Sequence, residues 1–462
     1  MNYAGMDTYL IGSGAGFSGD RVDAPLPVVR EMIASGRPGA LIFETLAERT
    51  LALRHAGRRT DPSGGYEPLL AELVRPILRD CIAHGIPIVG NFGAANPPAA
   101  ARLIRDLAAE AGIDGVRIAI VEGDDIRESI DLDELEVWES DVSLVGPADQ
   151  IVAANVYIGA RAIADALKAG AQVVVTGRVV DPALTVGPLM AHFGWAWDDW
   201  DRIAAATLVG HLLECGAQVT GGYFGDPGFK DVPSPESIGF PIAEVTADGT
   251  AVITKPRDTG GLVTCRTVKE QMIYEIHDPS SYLTPDVVLD ITQVAVEQVG
   301  KDRVRVSGAR GRQPPLRLKA IVSFPGDWLG EAEISYAGPN AMARARMAAE
   351  TIGRRIDLRG IAVRRRLDLI GALSVFDSDA GVLQAGTDLD PPEVRVRLAV
   401  SASQRRPVEQ CMQEVVALLN CGPAGGGGAR FRMENRLRTA SYLVPRDRVP
   451  TGFHFLEELV AA

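Results

Sequence analysis

No run of 18 or more consecutive apolar residues occurs in this 462-residue chain, so nothing in it reads as a membrane span. The N-terminal stretch MNYAGMDTYLIGSGAG has neither a basic nor an apolar leader segment, and no signal peptide is expected. The five cysteines are scattered without a CxxC pair, a usage that suits reduced thiols in a cytoplasm and argues against a metal knuckle. There is no GK[ST] ending of a Walker loop, no GxSxG elbow and no HExxH. Basic charge is also short, with 47 Lys and Arg against 60 Asp and Glu and a net charge of −13. Nucleic acid binding needs a strong basic footprint, so that class is excluded on electrostatic grounds.

Glycine, by contrast, is abundant: 49 residues, roughly 11% where about 7% is average. With 46% hydrophobic residues the chain is not disordered, so the glycines mark sharp turns and close backbone approaches. Charge is unevenly spread. Residues 1–285 hold 22 basic and 39 acidic residues, and residues 286–462 hold 25 and 21. The nets of −17 and +4 suggest two differently built domains, 1–285 and 286–462.

In the first half, short apolar runs alternate with helical patterns. Asp7–Ile11, Ala40–Phe43, Ile86–Val89, Val116–Val121 and Ala171–Thr176 read as strands separated by amphipathic stretches. That alternation predicts an α/β fold with a mostly parallel sheet and helices on both faces. Residues 221–285 read as loop-rich. The second half reads as an α+β sandwich with helices on one face, the strictly alternating Glu393–Ala399 forming one of its strands.

Four predicted strands end in polar, glycine-containing turns: 12–21, 44–49, 90–96 and 177–181. Ligands of open α/β sheets sit beyond the carboxyl ends of the strands, so these turns form the expected binding rim. Gly14–Gly19 also fits GxGxxG, a weak signal alone, and no redox cofactor is expected. The substrate-binding candidates are Ser18, Asp20, Arg21, Arg49, Asn91, Asn96, Arg178 and Gln218. Carboxylates beside arginines supply acid and base groups with separated pKa values, which makes Glu44 and Asp181 the catalytic candidates. The bland alternative is that such pairs only hold loops in place.

His211 lies four residues before Cys215, on one face of a helix that stops at Gly216. His211 is either a general acid/base or a core histidine. Cys215 sits at the helix C-terminus, where the dipole opposes a thiolate. His277, between acidic neighbours in a loop, is the fourth catalytic candidate or simply part of a surface turn. The glycine loop 422–428 with Arg430 suits an anion, such as a phosphate of a CoA thioester, or a hairpin at a subunit interface. No metal site is expected.

The segments IGSGAGFSGDR, FETLAERT, GNFGAANP, TGRVVDPAL, HLLECGAQVTGG, HDPSSYLTPDV and CGPAGGGGARF resemble, in this order, the acyclic terpene utilisation protein AtuA family. The resemblance implies a cytoplasmic bacterial catabolic protein of acyclic terpenoid and branched-chain acid breakdown, whose pathway partners handle CoA thioesters. It also implies a separable C-terminal part, and it carries no catalytic residue with it.

The expectation is therefore a lyase or hydratase acting on a branched or unsaturated acid or its CoA thioester. CoA would enter only as part of the substrate, and the protein would be a homo-oligomer. A hydrolase of a small acyl substrate, or a non-catalytic subunit of a CoA-dependent complex, are the alternatives. An acid/base site requires Glu44 and Asp181 to share one cavity.

Overall fold

The structure, a computed structural model, describes residues 8–129, 131, 135–138, 150–386 and 389–457. Five strands lie parallel in the order Thr8–Ala15, Gly39–Phe43, Ile88–Gly90, Val173–Val175 and Ile118–Glu122. Their sequences, such as GALIF and VVV, are almost wholly apolar because both faces are covered. Leu41, Phe43, Val173 and Val175 share a core with Val28 and Met32 of the helix Pro25–Ser35 and with Ile104 and Leu107 of the helix Pro97–Glu110. The alternate residues Ala40, Ile42, Val89 and Val174 are equally buried. The helices Arg161–Lys168, Ala183–Phe193 and Trp200–Glu214 also pack on these strands.

The sheet does not stay parallel. Ile242–Thr246 pairs antiparallel with Thr8–Ala15, and Ala251–Thr254, Arg303–Ser307 and Ala295–Gly300 extend that edge. Gly452–Phe455 closes the other edge, antiparallel to Ile118–Glu122. Of the nine neighbouring pairs, four are parallel and five antiparallel, which corrects the expected mostly parallel sheet to a mixed one. The stretch 221–285 is likewise more regular than its glycines and prolines suggest. It holds the hairpin Ile242–Thr246/Ala251–Thr254 and the helix Cys265–Ile273, capped by Thr264. Strands of four or five residues joined by a tight turn leave little periodicity to detect.

The chain divides into two compact units, residues 1–323 with 439–462, and residues 324–438. The compositional boundary at 285 thus falls inside the first unit. Apart from the one-turn helix Val382–Ala385, the second unit runs strand, helix, strand, strand, helix, strand. Its sheet has the order Arg364–Ile370, Glu393–Ala402, Arg317–Ala337, Gly427–Pro445, the split βαβ arrangement. Its helices Ala341–Leu358 and Arg405–Cys421 bury Ala345, Ile352, Val408 and Val415 with Ile334, Val396 and Leu398 of the strands. Among the described residues no helix is long and apolar enough to cross a membrane.

Candidate active site

The residues that follow the carboxyl ends of the parallel strands converge. Gly16 follows the first strand, Glu44 the second, Asn91 the third, Asp124 the strand Ile118–Glu122, and Arg178 the strand Val173–Val175. That last strand lies between two strands that precede it in sequence, which places a topological switch point at this edge. A cavity of about 660 Å³ opens there, walled by Glu44, Glu48, Arg178, Asp181, Glu214 and Glu275 among others. Ligand pockets commonly fall in the range of about 300–1,000 Å³.

Glu44 is buried, and its Oε1 accepts from the Leu46 N–H at 2.8 Å and from Asn91 Nδ2 at 2.9 Å. Asn91 is itself held because its Oδ1 accepts from the Thr45 N–H at 2.7 Å. Burial, with the Asp181 charge added, pushes the Glu44 carboxyl up to about 8, against the pull of Arg178 and these donors. Burial thus favours the protonated form of Glu44.

Arg178 is placed by its own backbone and by its neighbours. Its N–H donates to Asp124 Oδ2 at 2.8 Å, and that carboxylate also accepts from Asn155 Nδ2 at 3.0 Å. Gly177 must be glycine here, since a Cβ would stand 2.4 Å from Asp124 Oδ2. The guanidinium is buried, donates to the Leu46 carbonyl and to Asp181 Oδ1 (2.5 Å), and lies 4.1 Å from the centre of the Tyr157 ring. Tyr157 donates its hydroxyl proton to Glu48 Oε1 at 2.8 Å, and Lys319 Nζ donates to the same oxygen at 3.0 Å. Burial opposes the Glu48 charge, but Lys319 and Tyr157 outweigh it and hold the carboxyl below its ordinary value.

The helix Trp200–Glu214 brings His211 and Glu214 together one turn apart, with Nδ1 and Oε1 separated by 2.8 Å. Burial pushes Glu214 up to about 7, opposed by His211. Burial works against a charged His211, but Glu214 outweighs it and raises the imidazole above its ordinary value. The hydrogen bond couples the two groups, so their titrations are not independent. Gln271 Nε2 donates to the His211 carbonyl at 3.0 Å, and the Tyr282 ring lies 5.7 Å from the imidazole. Burial and Glu214 push the Cys215 thiol up, away from a thiolate. His211 Nε2, Glu214 Oε2 and Arg178 Nε are buried without a hydrogen-bond partner, and of these residues Glu214 and Arg178 line the cavity.

Gly16 closes the site from below: a Cβ there would lie 2.4 Å from the Gly216 nitrogen, so the first strand's loop and the end of the histidine helix touch backbone to backbone. Tyr223 and Glu275, at the wall, hold left-handed φ of 57° and 58°, backbone strain of the kind found at functional sites.

Of the candidates read from sequence, Glu44, Asp181, Arg178, Arg49, Gln218 and Asp20 line this one cavity. His211 stands behind it on Glu214, and Asn91 behind it on Glu44. Asp20 spends its carboxylate on the N–H groups of Gly16 and Arg21, both at 2.8 Å. Ser18 donates to Glu67 at 2.6 Å, Arg21 pairs with Asp23 at 2.9 Å, and Asn96 caps the helix Pro97–Glu110, so these three serve the frame. His277 lies on an exposed turn outside the cavity wall. Arg430 belongs to the second unit, on a strand where it pairs with Glu333 at 3.1 Å, and the 422–428 loop joins a helix to that strand. The Gly14–Gly19 motif does not open a helix. The next one begins nine residues after Gly16, at Pro25, which removes the geometry a dinucleotide fingerprint needs. Sequence reasoning missed Glu214, whose signal was its i+3 spacing from His211. It also missed Tyr157 and Lys319, which meet only through the pairing of Ala153–Val156 with 320–323.

These features define an α/β protein with a carboxyl-rich cavity at the carboxyl edge of its central parallel strands. Among the described residues, no group of three or more His, Cys, Asp or Glu side chains is placed to hold a metal ion. The chain belongs to the acyclic terpene utilisation family AtuA, whose family model matches residues 9–455. No curated protein and no solved structure matches it.

Proposed function

We propose that the cavity performs acid/base chemistry, adding water to or removing it from the acyl chain of a branched, unsaturated CoA thioester in the cytoplasm. What supports this reading is geometry: Glu44, whose carboxyl is pushed up by burial and by Asp181, lines the same cavity as Glu214, which is hydrogen-bonded to His211 at 2.8 Å. Burial raises both carboxyls, Glu44 furthest, and only Glu214 has a histidine to pass a proton to, which suits Glu44 to donate and Glu214 to accept.

In the hydration direction, a water oxygen bonds to the β carbon of the enoyl thioester and gives its proton to the Glu214–His211 pair. The α carbon takes the Glu44 proton. Dehydration is the reverse, and no electrons leave the system. Arg178 orients Asp181 through its hydrogen bond to Oδ1.

Carboxylates outnumber cations around this cavity, and Arg178 is already committed to Asp181 and the Leu46 carbonyl. A free carboxylate would be repelled there, which favours an esterified over a free acid. The family's role in acyclic terpene utilisation fits a branched acyl chain. Thermal-shift measurements with CoA, short branched acyl-CoA thioesters and the matching free hydroxy acids test the substrate class. The thioesters are expected to raise Tm, since a ligand at 100 times its Kd stabilises by about 2.7 kcal/mol. Flat responses to every thioester would overturn the reading.

A further inference from the structure

A second cavity, of about 690 Å³, lies in the same unit and is untouched by the chemistry above. Its wall meets the turn whose Ala217 and Gln218 line the first cavity: the Leu262 N–H donates to the Thr220 carbonyl at 2.9 Å, and a Cβ on Gly261 would stand 2.4 Å from the same oxygen. Thr220 ends the turn Gly216–Thr220 that follows the histidine helix.

Backbone strain is concentrated here. Seven non-glycine residues have left-handed φ among the described residues, and Ser234, Asp258 and Asp302 line this cavity. Strain of this kind persists where the surroundings enforce it, at ligand clamps above all.

The cations of the cavity divide into two kinds. Arg303 is clamped by Glu244 through two 2.8 Å hydrogen bonds, and Arg257 is held by Glu31 at 2.9 Å. Lys255 is different. It is nine-tenths buried, and its ammonium donates only to neutral oxygens of Thr259, the carbonyl at 2.8 Å and the hydroxyl at 3.3 Å. An ammonium carries three N–H donors, so one remains unspent. Lys301, on the same wall, has no ion-pair partner among the described residues. Asp258 and Asp302 face the same space and accept from hydroxyl groups as readily as from N–H groups. Leu10, Ile242 and Leu262 supply an apolar side.

We propose that this second cavity binds the ribose-phosphate part of a ligand, with Lys255 and Lys301 on the phosphate oxygens and Asp258 and Asp302 on the sugar hydroxyls. Lysines serve as point charges for phosphate, and carboxylates commonly receive ribose hydroxyls. The proposal concerns binding alone and stands whether or not the acid cavity turns over a thioester.

Isothermal titration of the full chain with 3′,5′-adenosine diphosphate, ribose 5-phosphate and inorganic phosphate tests it. The nucleotide and the sugar phosphate are expected to bind more tightly than inorganic phosphate. Lys301→Glu, at an exposed position, should weaken them about tenfold or more, the loss of a charge-assisted hydrogen bond. Lys255→Met should do the same, with circular dichroism confirming that it folds. Absence of binding by all three probes, or binding that Lys301→Glu leaves unchanged, would overturn the site. Inorganic phosphate binding as tightly as the other two would overturn the role given to Asp258 and Asp302.

Discussion

Glu44→Gln is expected to lower turnover of a branched enoyl thioester by about 10²–10⁴-fold, the usual contribution of a positioned proton donor. The amide is isosteric, and its oxygen can keep accepting from the Leu46 N–H and Asn91 Nδ2, so the fold should survive. The pH dependence follows with a definite sign. Glu44 in the folded protein loses its proton only near 8, against 4.5 for the ordinary side chain. The folded state therefore holds a proton that the unfolded chain has released. Its stabilising effect is complete at pH below 4.5 and is lost as pH rises through about 8. Gln has no proton to lose, so the Tm of Glu44→Gln relative to the parent should climb steadily from pH 5 to pH 9. Asp124 and Asp286, both pushed up to about 6 by burial, act in the same sense but are common to the two proteins. Parallel Tm profiles would show that Glu44 is ionised throughout, and would remove it as the acid.

Arg178→Met should be the most destabilising single change at the site. The guanidinium is buried, bonded to Asp181 and the Leu46 carbonyl, and stacked on Tyr157. Removing one partner of a fully buried charge pair costs about 3–5 kcal/mol, and because 33% of the Asp181 side chain is exposed the cost here should fall below that range but above about 1 kcal/mol. Loss of the cation raises Asp181 and Glu44 further, so the penalty should be smaller at pH 5 than at pH 8, where the carboxyls must ionise. Urea unfolding at both pH values measures it. A cost below about 1 kcal/mol at pH 8, the range of a surface ion pair, would show that Arg178 does not organise the site.

The parallel heart of the sheet was legible because strands covered on both faces read as short apolar runs, and all five were recognisable. The antiparallel flanks were not. Ile242–Thr246 and Ala251–Thr254 are short and lie in a glycine- and proline-rich stretch, and Gly452–Phe455 joins the sheet from the far end of the chain. The division at 285 followed charge, whereas the compact units follow packing and part inside the strands Arg317–Ala337 and Gly427–Pro445.

For the site, Glu44, Arg178 and Asp181 could be found because each follows a strand's carboxyl end. Glu214 lies at the end of a helix and not after a strand, so only its i+3 spacing from His211 marks it. Tyr157, Lys319 and Glu275 come from distant segments that only the tertiary fold brings to the cavity or to its hydrogen bonds. His277 and Arg430 looked chemical in sequence, but one sits on an exposed turn and the other in a surface ion pair of the second unit.

In the proposed function one cavity moves protons to add or remove water on an acyl chain. Incubating the full chain with a branched 2-enoyl-CoA in H₂¹⁸O and weighing the acyl product by mass spectrometry tests it directly. The expected result is one ¹⁸O on the acyl chain with the thioester intact, strongly reduced by Glu44→Gln. Unlabelled thioester after prolonged incubation, or label that appears equally with Glu44→Gln, would contradict it.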